Sequence, residues 1–365
     1  MNCAWNCLGL LAMPPIGQVR RRVVGRPRLW VLLGLLGLLV LSSSCATAPP
    51  LGRATANTLE SSSAAVAQLR SGRRPAALGL GVKISAPWFS DDDAFAFVDG
   101  RTGVQITMTE VVRRLRLHKV IVVGEQHDQA SHHELQRRVV EVLVADGPGL
   151  VVGLEMLTWD QQSQLDRFNV GEVDANGLRD AVDWKKAWGF DFNFYAPIFQ
   201  IGHQGGARFI ALNAPRTLVR NIRRVGLDGL SPGDRASLPE LDLGDQQHRV
   251  WFERIFSGAG HALKPTEVDA FYRAQVLWDE SMAERAAAAI NDGARQVVVL
   301  AGAGHVANGR GIPQRVERRL GLAVLAVVPL SGVDGSNIVD TLEKAVGNAE
   351  ADILVVPRFE AEIRL

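Results

Sequence analysis

Six short apolar runs constrain this chain more than any other feature. They are VIVV (Val120–Val123), LVVGL (Leu150–Leu154), FIAL (Phe209–Leu212), VVVL (Val297–Leu300), LAVLAVV (Leu322–Val328) and ILVV (Ile353–Val356). None alternates apolar with polar residues, and an uninterrupted apolar run of this length is what a strand covered on both faces requires. Helical patterns separate many of the runs, so the expected fold class is α/β, a mainly parallel sheet flanked by helices. Two polar and aromatic stretches, about 159–206 and 231–279, break the alternation and are expected to form helical insertions over the carboxyl ends of the strands. The sequence contains no internal repeat.

The folded part is expected to span residues 95–330, with 331–365 as a C-terminal extension carrying a last strand. It opens with FAFVDGRTGVQIT, which reads as two short strands around a Gly-containing turn. Thr107 or Thr109 then caps a helix running to Leu117. At 365 residues and 47% apolar, the chain is long enough for one large domain or two small ones. Its 40 basic and 39 acidic side chains nearly cancel, which gives no electrostatic footprint for nucleic acid.

The N-terminus is of another character. Arg20, Arg21, Arg22, Arg26 and Arg28 precede an apolar run from Leu29 to Leu41, then Ser42, Ser43, Ser44 and Cys45. That order is a secretory signal over 1–45, and the run is shorter than the roughly 20 residues a spanning helix needs. It is similar to a bacterial lipoprotein signal with Cys45 as the acylated residue, although Ser42 stands where Leu is usual and Leu41 lies one place earlier. An ordinary cleaved signal or an uncleaved anchor is the alternative. The expectation is an exported protein anchored to a membrane by lipid at Cys45, followed by a Pro-, Ser- and Gly-rich tether over 46–94. Ala46 offers no acidic retention signal, which favours the outer membrane in a cell with two. The other two cysteines, Cys3 and Cys7, fall in the removed part. Any nucleophile or metal ligand must then come from His, Asp, Glu, Tyr, Ser or water.

Polar residues follow four of the runs directly: Glu125 and His127, Glu155, Asn213, and His305. The carboxyl ends of parallel strands are where open α/β sheets bind ligands. Nearby groups have plainer roles open to them. Ser131, His132, His133 and Glu134 fit a capping box, with at least one of the histidines facing solvent, and Asp128 fits a turn or N-cap. Glu125, His127, Glu155 and His305 are harder to dismiss, because a buried carboxylate is costly unless paired; they either pair as charges or hold a divalent metal ion. Gly302-Ala303-Gly304-His305-Val306-Ala307 matches the form of a dinucleotide fingerprint, but no acidic residue ends the next strand. A tight turn with close backbone approach fits better.

Several of these stretches together, VGEQHDQASHHELQ, GLEML, ALNAPRTLVRNI, FYRAQVLWDESMAERAAAAI and VVVLAGAGHV, resemble the ChaN-like haem-binding lipoproteins, within a broader group that includes Tiki-type and erythromycin-esterase-like proteins. The resemblance runs from about Phe95 to Leu330. It implies an α/β domain outside the cytoplasm that binds haem for haem or iron uptake, as a possible homodimer meeting face to face. It also implies a Tyr ligand to the iron, and the chain has only Tyr195 and Tyr272. Tyr195 lies among Trp184, Trp188, Phe190, Phe192, Phe194 and Phe199, which either receive the macrocycle or form the core of the insertion. Lys185, Lys186 and Arg216 are candidates for the propionates, with Asn213 close by in sequence. The esterase-like relatives imply a different class, a metal-dependent hydrolase. There Glu125, His127, Glu155 and His305 would be catalytic, two histidines and a Glu holding a cation that acidifies a water while the other Glu acts as base. Glu125-Gln126-His127 is a loop spacing, unlike the helical zinc-protease motif.

Overall fold

The computed structural model describes residues 94–258, 265–334 and 336–358. The expected signal, Cys45 and tether up to residue 93 lie outside the described residues. The strands are β1 (Phe95–Asp99), β2 (Gln105–Ile106), β3 (Val120–Glu125), β4 (Leu150–Thr158), β5 (Arg208–Asn213), β6 (Gln296–Gly302), β7 (Val324–Pro329) and β8 (Ile353–Pro357). They form one eight-stranded sheet in the order β2-β1-β8-β7-β3-β6-β4-β5. The stretch from β8 to β5 is parallel, and β1 joins antiparallel to both β8 and β2. The expected mainly parallel α/β sheet is therefore present. The segment expected as a C-terminal extension supplies β8, an interior strand rather than an appendage.

Each apolar run feeds two cores. Ile121 and Val123 of β3 belong to one layer, with Leu135, Val139, Leu165 and Phe199 from the covering helices. Val120 and Val122 belong to the other, with Met282, Ala286, Ile312, Val316 and Leu342. A side-chain period of two with helices on both faces makes every position apolar, which is why the runs do not alternate.

The helix Met108–Leu117 is capped as expected by Thr107, whose Oγ1 accepts the Glu110 N–H at 3.2 Å. The expected capping box at Ser131 is not formed. The helix Ala130–Val144 starts two residues earlier than such a box requires, its N-cap Gln129 makes no side-chain cap bond, and Glu134 pairs with Arg137 and Arg138. His132 and His133 are both buried, contrary to the expectation that one faces solvent. The apolar face of this helix, Leu135, Val139, Val140 and Leu143, turns both rings inward with it.

The first insertion supplies the helices Gln162–Asn169, Ala175–Ala181, Trp184–Ala187 and Ala196–Gln204 between β4 and β5. The second holds Pro232–Ala236 and Gln246–Gly258, but its expected boundary at 279 falls inside one 27-residue helix, Pro265–Asn291, whose later turns pack under the sheet. Among the described residues no helix is long and apolar enough to cross a membrane.

One topological fact positions everything that follows. β6 is inserted between β3 and β4, with Glu125 in register with Gly302 and Leu154 with Leu300. The loop after β6 therefore rises between the ends of β3 and β4, at the point where the chain has turned to opposite sides of the sheet.

Candidate functional site at the strand ends

Two buried carboxylates organise the polar groups at this edge. The first is Glu125, last residue of β3. Its Oε1 lies 2.6 Å from His127 Nδ1 and accepts the Tyr195 hydroxyl at 2.9 Å. Its Oε2 lies 3.2 Å from His133 Nδ1, and the other nitrogen of that ring lies 3.2 Å from the His127 carbonyl. Tyr195 in turn accepts the indole N–H of Trp188 at 2.9 Å. Aromatic rings from the insertion close over both histidines: Trp188 and Phe190 against His127, Phe194 stacked on His133 at 5.1 Å. His132 faces the other way and its Nδ1 accepts the Gln126 N–H at 2.9 Å.

The second organising carboxylate is Asp279, from the long helix Pro265–Asn291. Its Oδ1 lies 2.6 Å from His305 Nδ1 and its Oδ2 lies 3.3 Å from His248 Nε2. Gln275, one turn earlier, sets its amide nitrogen 3.1 Å from His305 Nδ1. The far nitrogen of His305 lies 3.4 Å from Glu155 Oε1, while Glu155 Oε2 accepts the Gly302 N–H at 2.5 Å. Glu155 lies where the pairing of β4 with β5 shifts register, an irregularity of the kind that re-aims a side chain. Gly302 is fixed by close approach: a Cβ there would sit 2.9 Å from His127 Cε1. It ends β6 at a turn, as the sequence reading of 302–307 required.

Charge follows from these contacts. Burial alone would raise the Glu125 carboxyl, but His133 and His127 outweigh it and hold the group well below the carboxylate range. Asp279 and Glu155 are likewise held low against burial, chiefly by His305. Burial pushes His305 down, yet Glu155 and Asp279 raise it far above an ordinary imidazole. His133 is raised by Glu125 against burial. His132 is lowered to about 4 by burial and by His133.

The four residues singled out as catalytic or metal-binding thus converge, but as paired charges. Among the described residues no set of three or more His, Cys, Asp or Glu side chains is arranged to hold a metal ion. Glu125 pairs with His127 and Glu155 with His305, and His127 also helps to hold Glu155 low, so of the two expected alternatives the geometry builds paired charges. Both tyrosines are buried and hydrogen-bonded within the protein. Tyr195 is 1% exposed and belongs to the insertion core, and burial and Glu125 push its hydroxyl pKa far up. Tyr272 is also 1% exposed, donates to the Asp245 carbonyl at 3.2 Å, and is raised to about 12, first by burial. Neither presents a phenolate to a surface.

Only part of this constellation opens outward. A small cleft, with about 70 Å3 of room for water-sized molecules, is lined by Glu155, Met156, Trp188, Asn213, Arg216, Trp278 and His305. Asn213 donates to the Glu155 carbonyl at 3.0 Å and so supports the floor. Arg216 bridges the walls, donating to the carbonyls of Lys186 and Ala187. Lys185 lines a second hollow, with Asp183, Trp184 and Phe190, instead of this cleft. Sequence reasoning missed Asp279, Gln275, His248 and Trp278 as site residues. Their signal was present in FYRAQVLWDESMAE, where Gln275, Trp278 and Asp279 fall within one turn or so of each other.

Comparison with known proteins agrees with this architecture. ChaN of Campylobacter jejuni, solved with cofacially bound haem, superposes with a TM-score of 0.58 at 21% identity, covering 74% of this chain and all of that one. An erythromycin esterase mutant in its open conformation is more distant, with a TM-score of 0.35 and 14% identity over 60% of this chain and 72% of the other. The Arabidopsis thaliana protein RETICULATA-RELATED 5, chloroplastic, is 25% identical over 223 residues, 55% of this chain but only 30% of that protein's length. Residues 111–316 match the family model described as haem-binding uptake, Tiki superfamily, ChaN. That match covers more than half of the sequence and contains every residue of both carboxylate clusters, and the chain belongs to the ChaN haem-binding family of the Tiki superfamily.

Proposed function

We propose that this chain binds haem, as an exported protein anchored by lipid at Cys45 and serving haem-iron uptake. The observation that carries the proposal is the family match over 111–316, which spans the whole of the described site. The small cleft at the strand ends carries groups of the kinds that meet such a ligand at an edge. Trp188, Trp278, Met156 and Val219 supply apolar wall, Arg216 supplies a cation at the rim, and His305 supplies a nitrogen donor at the floor.

The test is a haemin titration of the purified full-length chain in detergent, followed by visible absorption. Saturation near one haem per chain is the expected outcome, and linear, unsaturable uptake would end this reading. Anchoring is tested separately: Cys45→Ala should release the protein from the membrane fraction. The homodimer belongs to the same proposal, since the C. jejuni protein holds its haem cofacially. Light scattering should then show a mass that doubles on haem addition.

A second reading is favoured by one observation, the continuous chain Asp279–His305–Glu155 opening onto a cleft. Such a chain can hand a proton to a leaving group or take one from water, so hydrolysis without a metal is the alternative activity. Assay against ester and amide panels, with Glu155→Gln as control, separates it from haem binding, which does not need the Glu155 carboxylate.

A further inference from the structure

The helix that follows β5, Arg216–Val225, reads RTLVRNIRRV and contains no acidic residue. Leu218, Val219 and Ile222 turn inward, which leaves Arg216, Arg220 and Arg224 exposed at every fourth position, in one row along the outer side. Arginine-bearing helices elsewhere in the molecule carry their own counter-ions. Glu110 meets Arg113 and Arg114, Glu134 meets Arg137 and Arg138, and Glu253 meets Arg249. On Arg216–Val225 the pattern fails: among the described residues the side chains of Arg220 and Arg224 have no ion-pair or hydrogen-bond partner. Asp234, a carboxylate that this helix does touch, is held by Asn221 at 2.9 Å instead of by an arginine.

Two unfavourable electrostatic effects therefore stand without an internal offset. Like charges four residues apart repel, and Arg216 sits at the helix N-terminus, the positive end of its dipole. The row also extends past its own helix. Arg216 donates to the carbonyls of Lys186 and Ala187, which brings the exposed Lys186 of the first insertion beside the start of the row. Four cations gather there, on a domain in which acidic side chains outnumber basic ones from residue 94 onward. Guanidinium groups spaced about 6 Å apart along one line suit a surface that repeats phosphate groups. Clusters of this size on an amphipathic helix are the usual mark of attraction to an anionic leaflet.

We infer that the outer side of Arg216–Val225, together with Lys186, is a docking surface for a membrane of anionic phospholipid, its arginines taking the headgroup phosphates. The acyl anchor proposed at Cys45 would supply proximity to such a surface, while the attraction itself comes from the row. Arg216 also lines the strand-end cleft, so docking sets the mouth of the cleft beside the bilayer.

The experiment is side-chain footprinting of the full-length chain, with phenylglyoxal for arginine and acetic anhydride for lysine, on vesicles of phosphatidylcholine alone and of phosphatidylcholine mixed with phosphatidylglycerol. Arg220, Arg224 and Lys186 should be protected on the mixed vesicles only, and the protection should fade as salt is raised. This result needs no variant. Each basic side chain near an anionic leaflet is worth about fivefold in affinity, so Arg220→Glu with Arg224→Glu should weaken docking on the order of a hundredfold and return Lys186 to its reactivity on neutral vesicles. Both substituted side chains are exposed, and an unchanged unfolding midpoint shows that the fold is kept. Equal protection on both kinds of vesicle, indifference to salt, or protection retained in the double variant overturns the proposal. Protection by soluble polyphosphate equal to that by mixed vesicles would assign the row to a soluble polyanion and overturn it as well. The local footprint keeps two readings apart, because Cys45→Ala tests the acyl anchor and the paired arginine variant tests this surface.

Discussion

The two buried carboxylates make a natural comparison. Glu125 and Asp279 each sit between two imidazoles, each has a contact of 2.6 Å to a ring Nδ1, and each has a fully buried side chain. They differ in what covers them. Over Glu125 the first insertion lays Tyr195, Trp188, Phe190 and Phe194, so both histidines end against aromatic rings. Over Asp279 the cover is incomplete, and His305 meets the cleft. Similar electrostatics thus produce a covered anchor in one place and a cluster that meets a cleft in the other. The covering rings of the insertion make the difference.

The strongest way to break the comparison is to remove a hub. Asp279→Ala leaves His305 and His248 buried without their shared carboxylate, and such a loss costs about 3–5 kcal/mol. Denaturant unfolding should show it, and Glu125→Ala should cost a similar amount; a cost below about 1 kcal/mol for either would mean that the cluster is not a stability element.

Next comes acid. His132 has its folded pKa lowered to about 4, so between roughly pH 6.5 and 4 the unfolded chain takes up a proton that the folded one refuses. Its stabilising contribution is whole above that window and falls with pH, by at most about 3 kcal/mol. Buried carboxylates held low act in the same direction at lower pH, so the informative quantity is a difference. His132→Asn, which keeps an acceptor for the Gln126 N–H, should flatten the melting temperature against pH between 6.5 and 4. Parallel curves for the two proteins would refute this assignment.

Two smaller effects sharpen the anchor's role. Gly302→Ala forces a methyl within 2.9 Å of the His127 ring and should cost about 1–3 kcal/mol, seen in the same unfolding experiment. Tyr195→Phe removes one hydrogen bond to Glu125 and leaves the Trp188 N–H without its acceptor, an expected loss of about 1–2 kcal/mol with haem affinity unchanged. If affinity fell with stability, Tyr195 would belong to the ligand site after all.

Much of this was legible in sequence for a definite reason. Strands covered on both faces must be apolar throughout, so β3 to β8 announce themselves, and the strand-end polar groups Glu125, His127, Glu155 and His305 follow from direct adjacency. What stayed hidden depends on long-range packing. Nothing in Asp279's own neighbourhood shows that it meets a histidine 26 residues later, because the meeting is made by the path of the chain under the sheet. The aromatic run around Tyr195 reads as ligand platform or core; these rings lie in the insertion core, where Tyr195 bonds Glu125 across 70 residues. The capping box at Ser131 failed because the apolar stripe of Ala130–Val144 set the helix rotation, and local propensity yields to such packing.

The insertion of β6 between β3 and β4 also sets a clock. Val120 pairs with Val297 and Leu150 with Gln296, so the three central strands join only after nearly three hundred residues of chain are available. Contacts this distant in sequence make folding slow, and no early fragment can complete the sheet. A chain emerging from its N-terminus would hold an open gap between β3 and β4 until the arrival of a strand that carries the floor of the cleft with it. Completion of the core and assembly of the binding edge are then a single late event, and a truncated or stalled product exposes apolar strand edges without presenting a half-made site.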